Sequence, residues 1–337
     1  MGAGVSIIVC CYNSVARLHD TINHIVRQKT DNSFAWELII VDNASTDNTF
    51  DLANEILQKS SILFQVVKEN TAGLSSARRK GFSVSKFDCL LYCDDDNWLA
   101  ENYVQGVFEI MKANEQIAIL GGMGEAVFES IEPSWFKKLE KNFAVGDQSA
   151  SKESLSKVTE VYGAGFTVRK SFLQQLFNSG IQNVLSDRSG GQLISGGDTE
   201  WCYLARYFGK EVWYSRDLKF KHLMTTGRMS WDYLKKLYFG FGRTNIYTYA
   251  YRYVEKNNRV PNQNLRLSFW FDTWLHKAKA TFKFYITVIG KLNEEGNEDV
   301  LRYYGMRGEI SELWKLKAQY SQMFEKVYKN VNVLKQP

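Results

Sequence analysis

Phe87-Asp-Cys-Leu-Leu-Tyr-Cys-Asp-Asp-Asp-Asn97 runs from an apolar stretch straight into three adjacent carboxylates. Phe87–Cys93 is a short apolar run, the pattern of a strand buried on both faces. The residues before it repeat the theme. Val5-Ser-Ile-Ile-Val-Cys10, Trp36-Glu-Leu-Ile-Ile-Val41 and Ile62–Val67 read as further buried strands. Between them, Leu18, Ile22, Ile25 and Val26, then Phe50, Ala53, Ile56 and Leu57, recur at helical spacing. Ser75–Ser83 supplies a third helix. This β-α-β-α-β-α-β order predicts a parallel sheet with helices on both faces. Such sheets bind ligands beyond the carboxyl ends of their strands. Polar residues cluster there: Tyr12-Asn13, Asp42-Asn43, Asn70 and Asp94–Asp96. Their recurrence at successive strand ends predicts one shared cleft.

Beyond residue 100 the pattern is mixed. Ile117–Leu120 and Val158–Tyr162 read as strands, and Trp201–Tyr207 as a helix stopped by Gly209. Glu211–Tyr214 reads as a strand leading toward His222. From residue 230 onward the chain is helical, aromatic and basic.

Composition narrows the class. At 337 residues, 45% hydrophobic and 23% charged, the chain suits one large α/β domain with an appendage, or two modest domains. Only three prolines argue against extended linkers. The five cysteines form no CxxC pair with a histidine partner, so reduced buried thiols are expected and a zinc site is not. No signal peptide and no apolar run of about 18 residues are seen, so no spanning helix is expected. Charge is uneven. Residues 230–337 hold 18 Lys+Arg against 10 Asp+Glu, whereas residues 1–229 hold 24 against 27. A basic C-terminal third points to an anionic surface or a phosphate-bearing substrate.

Four positions carry candidate chemistry. Adjacent carboxylates at Asp94–Asp96 repel one another, and a divalent cation is the usual offset. Mg²⁺ or Mn²⁺ bridges carboxylates to substrate phosphates, although a solvated helix start also favours acids. Asp198, in Gly196-Gly197-Asp198-Thr199-Glu200, reads as a helix cap or as a general base on a glycine-lined turn. His222 reads as a packed histidine or a metal ligand. Arg78 reads as a phosphate contact or a surface residue.

Taken together these segments resemble glycosyltransferases of family 2 with the GT-A fold. The matching segments are Ser6-Ile-Ile-Val-Cys-Cys-Tyr-Asn13, Leu38-Ile-Ile-Val-Asp-Asn-Ala-Ser-Thr-Asp47, Glu69-Asn-Thr-Ala-Gly-Leu-Ser-Ser-Ala-Arg78, Leu90-Leu-Tyr-Cys-Asp-Asp-Asp96, Gly163-Ala-Gly165, Ser195-Gly-Gly-Asp-Thr-Glu200, and Trp213-Tyr214 leading to His222. The resemblance implies a Rossmann-like mixed sheet flanked by helices, over residues 1–229. Its donor half spans about residues 1–100 and its acceptor half about 101–229. A helical, basic, aromatic C-terminal region over residues 230–337 lies outside it. It implies transfer of a sugar, with inversion, from a nucleotide-sugar donor (UDP the commonest) to a glycan or lipid-linked hydroxyl in surface-polysaccharide synthesis. By the same resemblance Tyr12, Asp42, Arg78 and Asp94 would contact the donor, with Asn70 nearby. Asp96 and His222 would hold Mn²⁺ or Mg²⁺, and Asp198 would be the base. Cys10-Cys11, Asn43, Asn97 and Gly197 depart from the family's frequent residues, and the last leaves Glu200 as a second candidate base.

The C-terminal region has no such motif. Its aromatics interleaved with lysines suit peripheral contact with an anionic membrane, and packing or a homodimer contact are the alternatives. A cytoplasmic location, on the inner face of the plasma membrane, fits that reading. No nucleic-acid partner is expected, because the first two-thirds is acidic. A non-catalytic nucleotide- or glycan-binding module on a transferase fold is the other functional class, distinguished by the absence of donor hydrolysis. A nucleotidyltransferase lacks its Gly-rich phosphate loop here.

Overall fold

The computed structural model describes residues 2–181, 183–185, 196–261 and 266–334. Strands and helices alternate at first: β1 (Gly2–Cys11), α1 (Leu18–Val26), β2 (Ala35–Asn43), α2 (Thr49–Leu57), β3 (Phe64–Glu69), α3 (Leu74–Val84) and β4 (Phe87–Asp94). A short β5 (Asn97–Leu99), α4 (Tyr103–Ala113), β6 (Ile117–Phe128), α5 (Phe136–Leu139), β7 (Leu155–Val158), β8 (Phe166–Arg169) and α6 (Lys170–Asn178) follow. Then come α7 (Gly197–Tyr207), β9 (Glu211–Met224) and helices α8 (Trp231–Asn257), α9 (Arg266–Val288), α10 (Glu298–Leu316) and α11 (Tyr320–Leu334).

The chain divides into two compact units. The first comprises Met1–Glu129, Leu139–Asn178 and Trp201–Met224, and the second Ser130–Lys138, Ser179–Glu200 and Thr225–Pro337. The first unit holds one nine-stranded sheet in the order β3-β2-β1-β4-β8-β6-β9-β5, with β7 paired to β9. β3, β2, β1 and β4 are mutually parallel, and β8 joins antiparallel to both β4 and β6. The sheet is therefore mixed, with the four strands read first from sequence forming its parallel part.

Burial explains this order. Val5, Ile7, Ile8, Val9, Leu38–Val41 and Leu90–Leu91 are fully buried, as strands covered on both faces require. Helix α1 presents Leu18, Thr21, Ile22 and Ile25 to this core, and α2 presents Thr49, Ala53 and Leu57. Helix α3 comes so close to β1 that a β-carbon on Gly81 would collide with the Ile8 side chain.

Several boundaries differ from the sequence reading. The strand expected over Val158–Tyr162 instead ends at Val158. Beyond it side chains capture the backbone: Arg206 donates to the Thr159 carbonyl, and Tyr162 N–H donates to Gln148 Oε1 at 2.8 Å. The run Glu211–Tyr214 is only the start of a 14-residue strand that reaches past His222. Strands β5 and β8, three and four residues long, carry too little pattern to be seen in sequence. The helix expected over Trp201–Tyr207 begins earlier, at Gly197, and Gly209 at φ 67° follows its end.

The second unit is helical. Helices α8 and α10 meet through glycines: a β-carbon on Gly242 would strike the Gly305 backbone, and one on Gly308 the Phe239 carbonyl. Within that contact Glu312, 4% exposed, is held by Arg243 Nε at 2.5 Å and the Tyr247 hydroxyl at 2.7 Å. A buried carboxylate is tolerated there because both partners hydrogen-bond it.

Candidate active site

The site is built at the carboxyl ends of β1, β2 and β4. Register sets its order: Cys11 pairs with Asp42 and Cys10 with Asp94, so the residues following β1 lie between two acid-bearing strand ends. Tyr12, just past β1, is 58% exposed. Asp42 is the opposite case. It is 5% exposed, and its Oδ1 is buried with no hydrogen-bond partner among the described residues. A buried, unsatisfied carboxylate oxygen carries a desolvation cost that a ligand hydroxyl or N–H would remove.

Neighbouring Asn43 has a structural task. Its Nδ2 donates to the carbonyls of Glu69 and Thr71 at 3.1 and 2.7 Å, and its Oδ1 accepts Gly73 N–H at 2.8 Å. These bonds fix the β3–α3 turn, where Gly73 takes φ 130°, a value that favours glycine. Asn70 lies exposed in this turn. Helix α3 then buries Arg78, which is 4% exposed, with its guanidinium 5.2 Å from the Phe166 ring centre, 5.7 Å from Trp201 and 5.9 Å from Tyr92. Three aromatic faces hold the cation in place.

The acid run turns sharply after β4, and each carboxylate has a different environment. Burial pushes Asp94 up to about 6, and the Asp96 charge adds to the rise, while Arg78 and His222 offset part of it. Asp95 is also raised, first by burial and then by Asp96, with Arg17 and Ser14 opposing. Its Oδ2 accepts from Arg17 Nη2 at 2.7 Å and from the Ser14 hydroxyl. Its carbonyl accepts from the Thr21 hydroxyl at 2.8 Å.

Asp96 is 2% exposed and faces His222, whose Nε2 lies 3.5 Å from Asp96 Oδ1. The two are 126 positions apart in sequence. Antiparallel pairing of β5 with β9 sets Asn97 opposite His222 and so brings them together. On its other side the imidazole Nδ1 lies 2.8 Å from the Phe143 carbonyl. A carbonyl only accepts, so Nδ1 carries a proton and Nε2 is the ring nitrogen turned toward Asp96. This is the arrangement in which a histidine ligand is oriented by an outer hydrogen bond. Among the described residues no group of three or more His, Cys, Asp or Glu side chains could hold an ion. Asp96 and His222 could therefore form a half-site, offering one carboxylate oxygen and one imidazole nitrogen to a divalent cation, a donor set that would suit Mn²⁺ or Mg²⁺.

The remaining two sequence candidates lie in the second unit. Asp198 sits half-buried in the first turn of α7, and its Oδ1 accepts the Thr199 N–H at 3.0 Å. Glu200 is fully buried. Its Oε1 accepts Val184 N–H at 2.6 Å, the Tyr251 hydroxyl at 2.6 Å and Leu185 N–H at 3.3 Å. Ser195, which opens the matching motif, lies outside the described residues. Sequence reasoning missed Ser14, Arg17 and Thr21, and also the Phe143 carbonyl. A backbone acceptor has no sequence signature, and the first three are tied to the site by their bonds to Asp95.

The family model for glycosyl transferase family 2 matches residues 6–177. The chain belongs to that family. Among curated relatives, it is 31% identical over 135 residues to the poly(ribitol-phosphate) beta-N-acetylglucosaminyltransferase TarP of Staphylococcus aureus, covering 40% of this chain and 41% of TarP. It is 24% identical over 257 residues to the putative glycosyltransferase EpsH of Bacillus subtilis, covering 76% of this chain and 70% of EpsH. The chain spans 41% of TarP and 38% of another relative, GlyG of Streptococcus pneumoniae. Two solved structures share its fold. S. aureus TarS 1–349 in complex with UDP-GlcNAc matches with TM-score 0.54 at 15% identity, over 98% of this chain and 90% of that one. GalNAc-T7 with UDP, GalNAc and Mn²⁺ matches with TM-score 0.51 at 15% identity, over 74% of this chain and 51% of that one. The mixed sheet with its flanking helices is the GT-A fold, as the family resemblance implied.

Proposed function

We propose that this family 2 protein transfers a sugar from a nucleoside-diphosphate donor to a hydroxyl acceptor with inversion, using a divalent cation held by Asp96 and His222. One observation carries the reading. At the carboxyl ends of the parallel strands a buried Asp42 oxygen lacks a partner among the described residues, and Asp96 faces a histidine whose ring is fixed by Phe143. Similarity to transferases acting on poly(ribitol-phosphate), and to structures holding UDP or UDP-GlcNAc, supports a uridine donor and a polysaccharide or lipid-linked acceptor.

The residues divide the work. The exposed Tyr12 ring offers a stacking face for the base, and Asp42 Oδ1 accepts a hydrogen bond from the base or ribose. Asp94, raised toward neutrality by burial, accepts from a ribose hydroxyl. Arg78, boxed by its aromatics, supplies a fixed positive charge beside the donor. Asn70 stands at the rim. When bound, the cation serves as a Lewis acid that offsets charge on the departing diphosphate. Asp198 removes the proton of the acceptor hydroxyl as it attacks the anomeric carbon from the side opposite the leaving group, which inverts that carbon. Glu200 instead positions the start of α7, since its Oε1 is taken up by three donors. Calorimetry of UDP binding, with and without Mn²⁺, tests the donor half. The wild type is expected to bind UDP much more tightly with Mn²⁺ and Asp96→Ala to lose that difference. Equal affinity in all four titrations would refute the cation assignment.

A further inference from the structure

We propose that helix α9 is a membrane-docking element that lays one apolar face onto an anionic lipid surface. Phe271, Leu275, Ala278, Phe282 and Ile286 recur at intervals of four, three, four and four residues, and Ile289 continues the same line into the turn that follows. That spacing draws a single stripe along one side of a helix. The stripe faces outward. Phe271 is 48% exposed, Phe282 67%, Ile286 62% and Ile289 53%. On the inward side of the same helix Trp270, Thr281 and Val288 are buried, and Trp270 Nε1 donates to the Leu313 carbonyl at 2.6 Å. Helix α9 is therefore already anchored in its unit, and the stripe is a second apolar face, about 120° from the first at 100° per residue.

What flanks the stripe decides its occupant. Lys279 and Lys283 are exposed and fall together along one flank, with one acid, Asp272, near the helix start. On the other flank Trp274 packs against Trp314 with ring centres 5.4 Å apart and planes tilted by 49°, and Trp314 remains 52% exposed. Lys317 Nζ lies 4.2 Å above that indole. Aromatic rings and lysines bordering an apolar stripe match the depth profile of a bilayer surface: aliphatic side chains in the acyl boundary, indoles at the interface, ammonium groups among lipid phosphates. The excess of 18 basic over 10 acidic residues in 230–337 gives the long-range attraction to anionic lipid. A second copy of the chain fits less well. A stable protein interface takes roughly 20–30 residues from each partner, and the stripe is one side chain wide. No described helix is long and apolar enough to cross a membrane, so the contact is a surface one.

Docking of this kind does not depend on the sugar-transfer reading, and its test reads binding alone. The full chain is sedimented with vesicles of phosphatidylcholine, or of phosphatidylcholine mixed with phosphatidylglycerol, at low and high salt. The wild type is expected to bind the anionic vesicles at least about tenfold more tightly than the neutral ones, with the difference shrinking as salt rises. Phe282→Glu with Ile286→Glu is expected to abolish binding to both. Lys279→Glu with Lys283→Glu is expected to remove the preference for anionic lipid. All four positions are solvent-exposed, so unchanged thermal unfolding serves as the folding control. Failure of the wild type to bind anionic vesicles would overturn the proposal, and so would undiminished binding by the Phe282/Ile286 variant. A concentration-dependent dimer that the Phe282/Ile286 variant dissolves, with no vesicle binding, would assign the face to a second copy instead.

Discussion

Arg17 Nη2 lies 2.7 Å from Asp95 Oδ2, and the same oxygen accepts the Ser14 hydroxyl. With the Thr21 hydroxyl on the Asp95 carbonyl at 2.8 Å, three residues at the start of α1 grip the middle of the acid run. Asp95 is therefore a positioning residue: it holds the turn from which Asp94 and Asp96 project. Removing it leaves their side chains intact but frees the backbone that aims them. Asp95→Ala is expected to raise the Mn²⁺ concentration needed for half-maximal UDP binding by about 10- to 100-fold, the usual cost of losing an outer-shell support. Arg17→Ala should shift it in the same direction by less, because Ser14 still holds Asp95. The check is a Mn²⁺ titration at fixed UDP. An unchanged midpoint in both variants would show that the grip does not position the cation site.

His222 offers a sharper test of the same half-site. Its ring is fixed by Phe143 and points at Asp96 across 3.5 Å. His222→Ala removes the imidazole that would hold the cation beside Asp96. It is expected to weaken Mn²⁺ binding at least about tenfold, measured by calorimetry on the metal alone. His222→Gln, which restores a neutral polar group, should recover part of the loss. Metal affinity equal to wild type in His222→Ala would remove the histidine from the site.

Much of this arrangement was legible in the chain. Val5–Cys10, Trp36–Val41 and Phe87–Cys93 each fall inside the strand they predicted, because parallel strands buried on both faces must be continuously apolar. The residues closing those strands could be read as a cleft for the same reason. The approach of His222 to Asp96 was not derivable from pattern. It depends on β5, three residues long, pairing with the far end of β9, and no periodicity is measurable over three residues. Resemblance to the family supplied it instead. Asp95 escaped because its meaning lies in long-range partners, Ser14 and Arg17, which look like ordinary surface residues in sequence. Glu200 read as a possible base because Gly197, before Asp198, departs from the family's frequent residue. Its complete burial and three donors appear only once Tyr251 is folded against it.

The acid cluster also predicts a pH dependence in the metal-free protein. Burial and the Asp96 charge raise Asp94 from an ordinary 3.8 to about 6. A carboxyl with a raised folded value binds its proton more tightly folded than unfolded. Its destabilising effect is thus present above about 6 and relieved as the pH falls through that value toward 3.8. Asp47 and Asp147 act oppositely, since their hydrogen bonds lower them, so their contributions fade only below the ordinary carboxylate range. The melting temperature of the metal-free protein is expected to rise on acidification from neutrality toward about pH 4 and to fall at lower pH. Asp94→Asn should flatten the rise. Melting curves that fall steadily from neutrality in the wild type would contradict the sign.

Asp198 and Glu200 separate by what their loss changes. Glu200 Oε1 serves Val184 N–H, Leu185 N–H and the Tyr251 hydroxyl, so Glu200→Ala strands buried donors. The cost is expected to be about 3 kcal/mol of unfolding free energy in denaturant titration. Asp198 is half-buried with one bond to its neighbour's N–H, so Asp198→Asn should leave stability within about 0.5 kcal/mol. The same change should preserve UDP binding and cut sugar transfer by about 100-fold or more, the contribution of a positioned base. Donor hydrolysis by water should fall with it, since the same carboxylate would deprotonate either nucleophile. Turnover near wild type in Asp198→Asn, together with lost turnover in a still-folded Glu200→Gln, would reverse the two roles.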